Sequence, residues 1–205
     1  MPAFLSRVVP VVVVTDAAQA VPMARALLAG GVDVIEITLR SAAALAAIEA
    51  VARHVPEMVV GAGTVTRASE VAQVVSAGAR FGLSPGYTPE LLAAVKAAGL
   101  PFMPGVGSPS EVMAVRDLGF SLMKCFPAAQ LGGVEVLKAW GGPLPDVRFC
   151  PTGGVSLSNM GQFLALPNVA MVGGSWLTPA AAVQAGDWAR VTELAREATG
   201  AAAKV

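Results

Sequence analysis

The apolar positions of this chain fall into two alternating textures. Short unbroken runs rich in valine have the pattern of strands buried on both faces of a parallel sheet, while longer stretches carry apolar residues at helical spacing. Arg7–Val14, RVVPVVVV, is the first run. Thr15 and Asp16 can cap a helix over Ala17–Leu28 that Gly30-Gly31 stops. Val32–Arg40, VDVIEITLR, is the second run, followed by Ser41 as a cap and an alanine-rich helix to about His54. Further strands are predicted at Met58–Gly61, Arg80–Ser84, Pro101–Pro104, Phe120–Phe126, Val147–Pro151 and Val169–Val172. Helices are predicted to start near Thr66, Thr88-Pro89, Ser108-Pro109, Leu131, Ser156 and Asp187. The alanine-rich tail from Thr199 is expected to fray.

This makes about eight strands and eight helices, one βα unit every 20 to 26 residues or so, near the minimum for such a unit. Eight units close a (β/α)8 barrel, the TIM-barrel architecture, although an open doubly wound sheet also alternates in this way. Two features favour closure. Every strand is apolar, with no charged edge strand, and polar or glycine-rich residues recur at strand ends: Glu36, Thr38 and Arg40; Gly61, Gly63 and Thr64; Ser84 and Gly86; Gly105 and Gly107; Lys124; Thr152–Gly154; Gly173–Ser175. In a barrel these gather on one rim, where sites of this fold lie. No linker or low-complexity segment divides residues 1–205, so a single α/β domain is expected.

Hydrophobic residues at 55% against 14% charged exclude a disordered chain, and the abundance of Ala and Val calls for close packing on small side chains. Lys+Arg and Asp+Glu balance at 14 each without long blocks of one sign, so neither nucleic acid nor an anionic membrane is indicated, and a small-molecule substrate is the better expectation. Val8–Val14 is too short to span a bilayer and lacks the flanks of a signal peptide. Cys125 and Cys150 lack the spacing of a zinc or disulfide framework and read as reduced core residues of a cytoplasmic protein. No His, Cys, Asp and Glu cluster has ligand spacing, so no metal or other cofactor is expected.

Candidate chemistry starts with Lys124, a lone lysine in the apolar run FSLMKCFP. In a strand, Leu122, Lys124 and Phe126 share one face and Met123 and Cys125 the other. An amine among apolar side chains loses hydration in its charged form, which favours the nucleophile that forms Schiff bases; the alternative is a strand-end lysine reaching solvent. Glu36, Thr38 and Arg40 share parity with Val32 and Val34. They read either as polar residues closing a strand or as machinery: Arg40 holding a substrate carboxylate in bidentate fashion, and Glu36, partly buried, moving protons. GAGT, ending the third strand, offers glycines that permit close approach and a donor in Thr64, though a tight turn explains it equally well. PTGGVS, residues 151–156, and GGSW, residues 173–176, follow the seventh and eighth strands, where barrels bind phosphate through backbone N–H groups. His54 reads as a helix C-terminal residue, and Trp140, Trp176 and Trp188 as packing or interface residues.

VVPVVVV, AVPMARALLAGGVDVIEITLR, VGAGTV, LSPG, MKCFPA, VRFCPTGG and GGSWL, in this order, resemble the 2-keto-3-deoxy-6-phosphogluconate aldolases, a family that includes 4-hydroxy-2-oxoglutarate aldolases. The likeness runs from about Val8 to Arg196. It implies a (β/α)8 barrel, a homotrimer and a metal-independent class I aldolase, a lyase giving pyruvate and glyceraldehyde 3-phosphate. By the same resemblance Lys124 matches the Schiff-base lysine, Glu36 the general acid/base and Arg40 the arginine on the pyruvyl carboxylate. Thr64 and Thr152 match threonines of the pyruvate pocket, Gly153, Gly154, Gly174 and Ser175 fall on the phosphate loops, and Pro85 matches a residue of the site wall. The chain departs from some relatives in carrying Thr15-Asp16 where a basic residue is frequent, and Ala129 where some have glutamate; the first departure bears on anion binding by that loop. Within the family the alternative is an aldolase giving pyruvate and glyoxylate. More remote are a phosphate-binding barrel isomerase or epimerase and a barrel that binds a phosphorylated metabolite without turnover.

Overall fold

In the computed structural model, which describes residues 1–205, strands and helices alternate from β1 (Val8–Val12) and α1 (Ala20–Ala29) onwards. They continue as β2 (Val34–Thr38), α2 (Ala44–His54), β3 (Val59–Gly63), α3 (Ala68–Ser76), β4 (Phe81–Leu83) and α4 (Pro89–Ala97). The fifth stave is split into β5 (Phe102–Met103) and β6 (Gly105–Val106), after which come α5 (Pro109–Asp117), β7 (Leu122–Cys125) and α6 (Gly133–Gly141). The last units are β8 (Arg148–Pro151), α7 (Met160–Leu164), β9 (Val172–Gly174), α8 (Ala180–Ala185) and α9 (Trp188–Ala202).

Six strands pair in the order β5-β4-β3-β2-β1-β9 and three in the order β6-β7-β8, all neighbours parallel. The two sheets join at Pro104, which lies between β5 and β6, and through the bridges Phe149↔Val169 and Thr152↔Gly173 between the seventh stave and the eighth. Eight staves thus curl into a parallel barrel. The fifth stave continues past its predicted end at Pro104 and is broken there because Pro104 has no N–H for the ladder; its carbonyl still accepts from the Lys124 N–H at 2.9 Å.

Capping follows the predicted residues at several starts. Asp16 accepts from the Ala18 N–H at 2.9 Å and opens a short 3-10 turn, Ala17–Gln19, that leads into α1. Thr88 accepts from Leu91 N–H at 3.1 Å, Ser108 from Glu111 N–H at 3.3 Å, and Asp187 from Arg190 N–H at 3.0 Å. Ser41 does not cap α2: its hydroxyl donates instead to the Val14 carbonyl, tying the loop after β2 to the end of β1, and the helix starts only at Ala44. The helix expected from Ser156 shortens to α7, and α8 has no counterpart among the predicted helices. The tail does not fray as expected, because α9 runs to Ala202 with Ala195, Ala198 and Ala202 buried.

One contiguous cluster of 59 buried apolar residues fills the barrel and the layer between strands and helices. The valine-rich β1 and the whole of β2 are buried on both faces, as parallel staves covered by helices require. Phe81, fully buried, extends its ring over Gly61, where any Cβ would collide with it, and Phe4 packs below at 6.2 Å between ring centroids. Aromatic filling therefore closes the barrel under the polar mouth.

At the periphery α1 and α9 pack closely. Thr192 donates to the Ala26 carbonyl at 2.9 Å and Thr199 to the carbonyl of the capping Gly30 at 3.0 Å, which ties α9 to the end of α1. A methyl on Gly30 would lie 2.8 Å from the Thr192 carbonyl oxygen and overlap the Ala195 side chain. Gly30→Ala is therefore expected to destabilise the fold by about 1–3 kcal/mol through overpacking, read as a lower urea midpoint; an unchanged midpoint would show that α9 yields without cost.

Candidate active site

The site is assembled from strands far apart in sequence. Register puts Val11 beside Glu36, Glu36 beside Gly61, Thr38 beside Gly63, and Gly105 and Cys150 on either side of Lys124. Glu36, from β2, and Lys124, from β7, meet inside the barrel, with Lys124 Nζ donating to Glu36 Oε1 at 3.0 Å. They are 1% and 5% exposed, so this is a buried ion pair. The second carboxylate oxygen, Glu36 Oε2, is buried and has no hydrogen-bond partner. Lys124 Nζ also lies 5.5 Å from the Phe126 ring centroid, within cation–π range. The strand-end alternative for Lys124 is thereby removed: the ammonium points into the barrel and not to water.

Room for the Glu36 carboxylate comes from Gly63, where a Cβ would overlap Oε1 and approach Cγ and Cδ to 2.6 and 2.7 Å. The glycines of GAGT thus admit the Phe81 ring and the Glu36 carboxylate, contacts within the chain that the spacing alone did not distinguish from a ligand. Thr64 follows with φ +59°, a left-handed conformation rare for a β-branched residue and costing about 1–3 kcal/mol. Thr38 is buried and donates to the Val12 carbonyl at 2.9 Å, a strand-to-strand tie.

A cavity of about 510 Å³ opens at the strand ends, with Phe126 and Thr152 in its lining, while Lys124 and Glu36 themselves do not line it. Arg40, Thr152, Gly153, Gly154, Gly174 and Ser175 all line it, so six of the predicted substrate-binding residues converge on one chamber. Arg40 is exposed, lies two residues beyond β2 and makes no ion pair within the chain. Gly153 and Gly154 adopt φ of +94° and +76°, which glycine tolerates and L side chains rarely do. Their loop is zipped to the segment after β7: Ala128 N–H donates to the Thr152 carbonyl at 2.8 Å and Ala129 N–H to the Gly153 carbonyl at 3.0 Å. A Cβ on Gly154 would overlap that of Ala129, so a small residue at 129 matches this close approach. The peptide bond between Phe126 and Pro127, in the same segment, is cis.

Thr64 and Pro85 do not line this chamber. Thr64 is half-buried at the end of β3, and Pro85 is exposed after β4, its main chain against Gly105. Conversely, Thr178 and Gln184 line it and were not singled out from the sequence, and Thr15, noted there only as a cap and as a departure from relatives, lines it as well. The Thr178-Pro179 pair ahead of α8 is the local signal that could have marked that loop. Thr15 lines the chamber while the Asp16 carboxylate turns to its own backbone cap, so the sequence departure leaves a neutral hydroxyl at this wall.

A parallel barrel with a buried lysine–carboxylate pair and a glycine-lined chamber at its strand ends has the layout of a barrel enzyme. The family model described as "Aldolase: KDPG and KHG aldolase" matches residues 4–194. A 2-dehydro-3-deoxy-phosphogluconate aldolase of Pseudoalteromonas atlantica is 52% identical over 198 residues, covering 97% of this chain and 92% of the relative. The KHG/KDPG aldolase of Escherichia coli is 52% identical over 93% of this chain and 90% of its own. The crystal structure of KDPG aldolase from Legionella pneumophila, with pyruvate captured at low pH as a covalent carbinolamine intermediate, superposes with a TM-score of 0.92 at 45% identity, covering 95% of this chain and 94% of that one. The chain belongs to the KDPG and KHG aldolase family. It is an aldolase, and so a lyase.

Both cysteines are free and buried. Burial pushes the Cys125 thiol up to about 12. Cys150 is also pushed up to about 12 by burial, with Lys124 lowering it, Glu36 raising it, the Thr152 hydroxyl lowering it and Cys125 raising it in smaller measure. A thiol whose pKa is higher in the folded state gives stability that is complete below the unfolded value near 9 and is lost as pH rises towards 12. Each thiol should contribute a fall of about 1.4 kcal/mol per pH unit above pH 9. Urea titrations at pH 8 and pH 10 check this. Cys125→Ala should flatten the pH dependence, and an equally steep dependence in that variant would contradict it.

Proposed function

We propose that the chain is a class I aldolase that cleaves 2-dehydro-3-deoxy-6-phosphogluconate to pyruvate and glyceraldehyde 3-phosphate, with Lys124 as its Schiff-base nucleophile and Glu36 as its proton carrier. The observation that carries this reading is the 3.0 Å contact between Lys124 Nζ and a carboxylate whose other oxygen has no partner. Glu36 can relieve Lys124 of a proton through Oε1, and Oε2 remains an acceptor for a substrate hydroxyl, directly or through a water.

The neutral amine attacks the C2 ketone, forming a C–N bond as the carbonyl electrons move to oxygen, and the carbinolamine loses water to leave an iminium. Glu36 takes the proton of the C4 hydroxyl, the C3–C4 bond breaks, and its electron pair moves onto the iminium to give an enamine. Glyceraldehyde 3-phosphate departs. Protonation of the enamine at C3 and hydrolysis of the iminium release pyruvate and restore the lysine. Arg40 is assigned to the carboxylate at one end of the substrate, and the main chain at Gly153, Gly154, Gly174 and Ser175 to the phosphate at the other. Thr152, buried and lining the chamber, is assigned to the pyruvyl portion with Thr64, and Pro85 to the outer wall. Fixing both ends sets the geometry of the breaking bond by binding. Cleavage of 4-hydroxy-2-oxoglutarate to pyruvate and glyoxylate is the second reading, favoured by the double name of the Escherichia coli relative. We further assign residues 1–205 to a single catalytic domain acting in the cytoplasm, and, in line with the family resemblance, to a homotrimer. No helix is long and apolar enough to cross a membrane.

Borohydride in the presence of pyruvate should leave a reduced adduct on Lys124, and Lys124→Ala should abolish it; persistence of the adduct in that variant would sink the assignment. Glu36→Gln should still form the adduct but exchange the methyl protons of pyruvate far more slowly than wild type. Relative kcat/KM for the two substrates decides between the two aldolase readings. Light scattering coupled to gel filtration should give three times the mass of one chain, and the mass of a single chain would refute the trimer.

A further inference from the structure

We infer that Gly63 is a positioning residue that sets where the Glu36 carboxylate stands relative to Lys124, an inference that rests on the role assigned to Glu36 above. Gly63 ends β3 beside β2, with Thr38 as its register partner, and its carbonyl accepts from the Leu39 N–H at 2.8 Å. The next N–H but one, that of Val65, donates to the Leu83 carbonyl at 3.0 Å. The main chain here is therefore held on both sides, by β2 and by the end of β4. Its φ is not in the left-handed region, so the backbone conformation does not explain a glycine at this position. What does is the side chain opposite. A Cβ would overlap Glu36 Oε1 and crowd Cγ and Cδ at 2.6 and 2.7 Å, where ordinary carbon contacts need about 3.5–4.0 Å.

The crowded oxygen is the one that receives the Lys124 hydrogen bond. Glu36 is 1% exposed and cannot swing into solvent without leaving its strand face. A methyl at position 63 would thus drive the carboxylate off by about 1 Å, and displacements of that size cost on the order of 100-fold in proton transfer and orientation. Lys124 reaches from β7, in the other sheet, and none of its atoms is among those nearest a Cβ at position 63. Gly63 acts through Glu36 and touches no reacting atom.

The test compares Gly63→Ala, Glu36→Gln and the double variant by two measurements: exchange of pyruvate methyl protons in D2O, and borohydride trapping of pyruvate. Gly63→Ala should lower the ratio of exchange to trapping by about 100-fold, as Glu36→Gln does, and add no further loss in the Glu36→Gln background. A general loss of stability would lower both measurements together and would not produce that ratio. Wild-type exchange in Gly63→Ala, with Glu36→Gln still slow, would overturn the inference and leave the role of Glu36 standing. Wild-type exchange in Glu36→Gln would overturn that role and this inference with it. A further loss in the double variant would show that Gly63 acts by another route. Where Gly63→Ala fails to fold, Gly63→Ala/Glu36→Asp, one methylene shorter at the clash, should fold; failure of both would place the crowding elsewhere and overturn the inference.

Discussion

The buried ion pair between Lys124 and Glu36 is the constraint on which the rest of the structure depends. Taking either charge out of water alone costs several kcal/mol, and only a partner at hydrogen-bonding distance offsets it. The partners stand 88 residues apart, on strands that belong to different sheets. They can meet only when the staves curl into a circuit. Closure of the barrel and compensation of the two charges are therefore one event: an open sheet would leave an ammonium and a carboxylate buried on separate surfaces, each without a counter-charge.

Holding two polar side chains across the centre of so narrow a barrel requires space, and the fold supplies it with glycine. Gly61 yields to the Phe81 ring, Gly63 to the Glu36 carboxylate, and Gly173 to the Thr152 side chain. Each of these bare Cα positions stands against a larger side chain, so small and large residues interdigitate around the staves. Above that level the same residue type has another use. The left-handed Gly153 and Gly154 turn the main chain at the chamber wall and let the loop lie against Ala129, a close fit that a larger side chain at either position would break. The chamber is thus lined by glycine main chain and by hydroxyl side chains, with Arg40 also in its wall.

Much of this was legible along the chain because parallel staves covered by helices must be apolar on both faces, and helices must stop where glycine or proline stops them. The valine run of β1, the isoleucines and valine of β2, the caps at Asp16, Thr88, Ser108 and Asp187, and the parity that set Glu36 and Lys124 on inward faces are local properties, determined by each segment's own residues. Ser41 misled because its hydroxyl had two acceptors to choose from, and the choice fell to the neighbouring strand end at Val14. The tail from Thr199 misled because alanine content describes a weak surface helix and a tightly packed one equally well, and packing against α1 decided between them.

By itself, then, the sequence determined the alternation of elements, their inward and outward faces, and which residue types stood at the strand ends, since these follow from short-range sterics and periodicity. Only the tertiary structure decided which of those strand ends face one another. Register and closure bring Oε1 of Glu36 to the amine of Lys124 and to the bare Cα of Gly63, and gather Arg40 with the two glycine loops around one chamber. Those distances depend on how many staves complete the circuit and how each is shifted against the next, quantities set by the packing of the whole barrel and carried by no single segment.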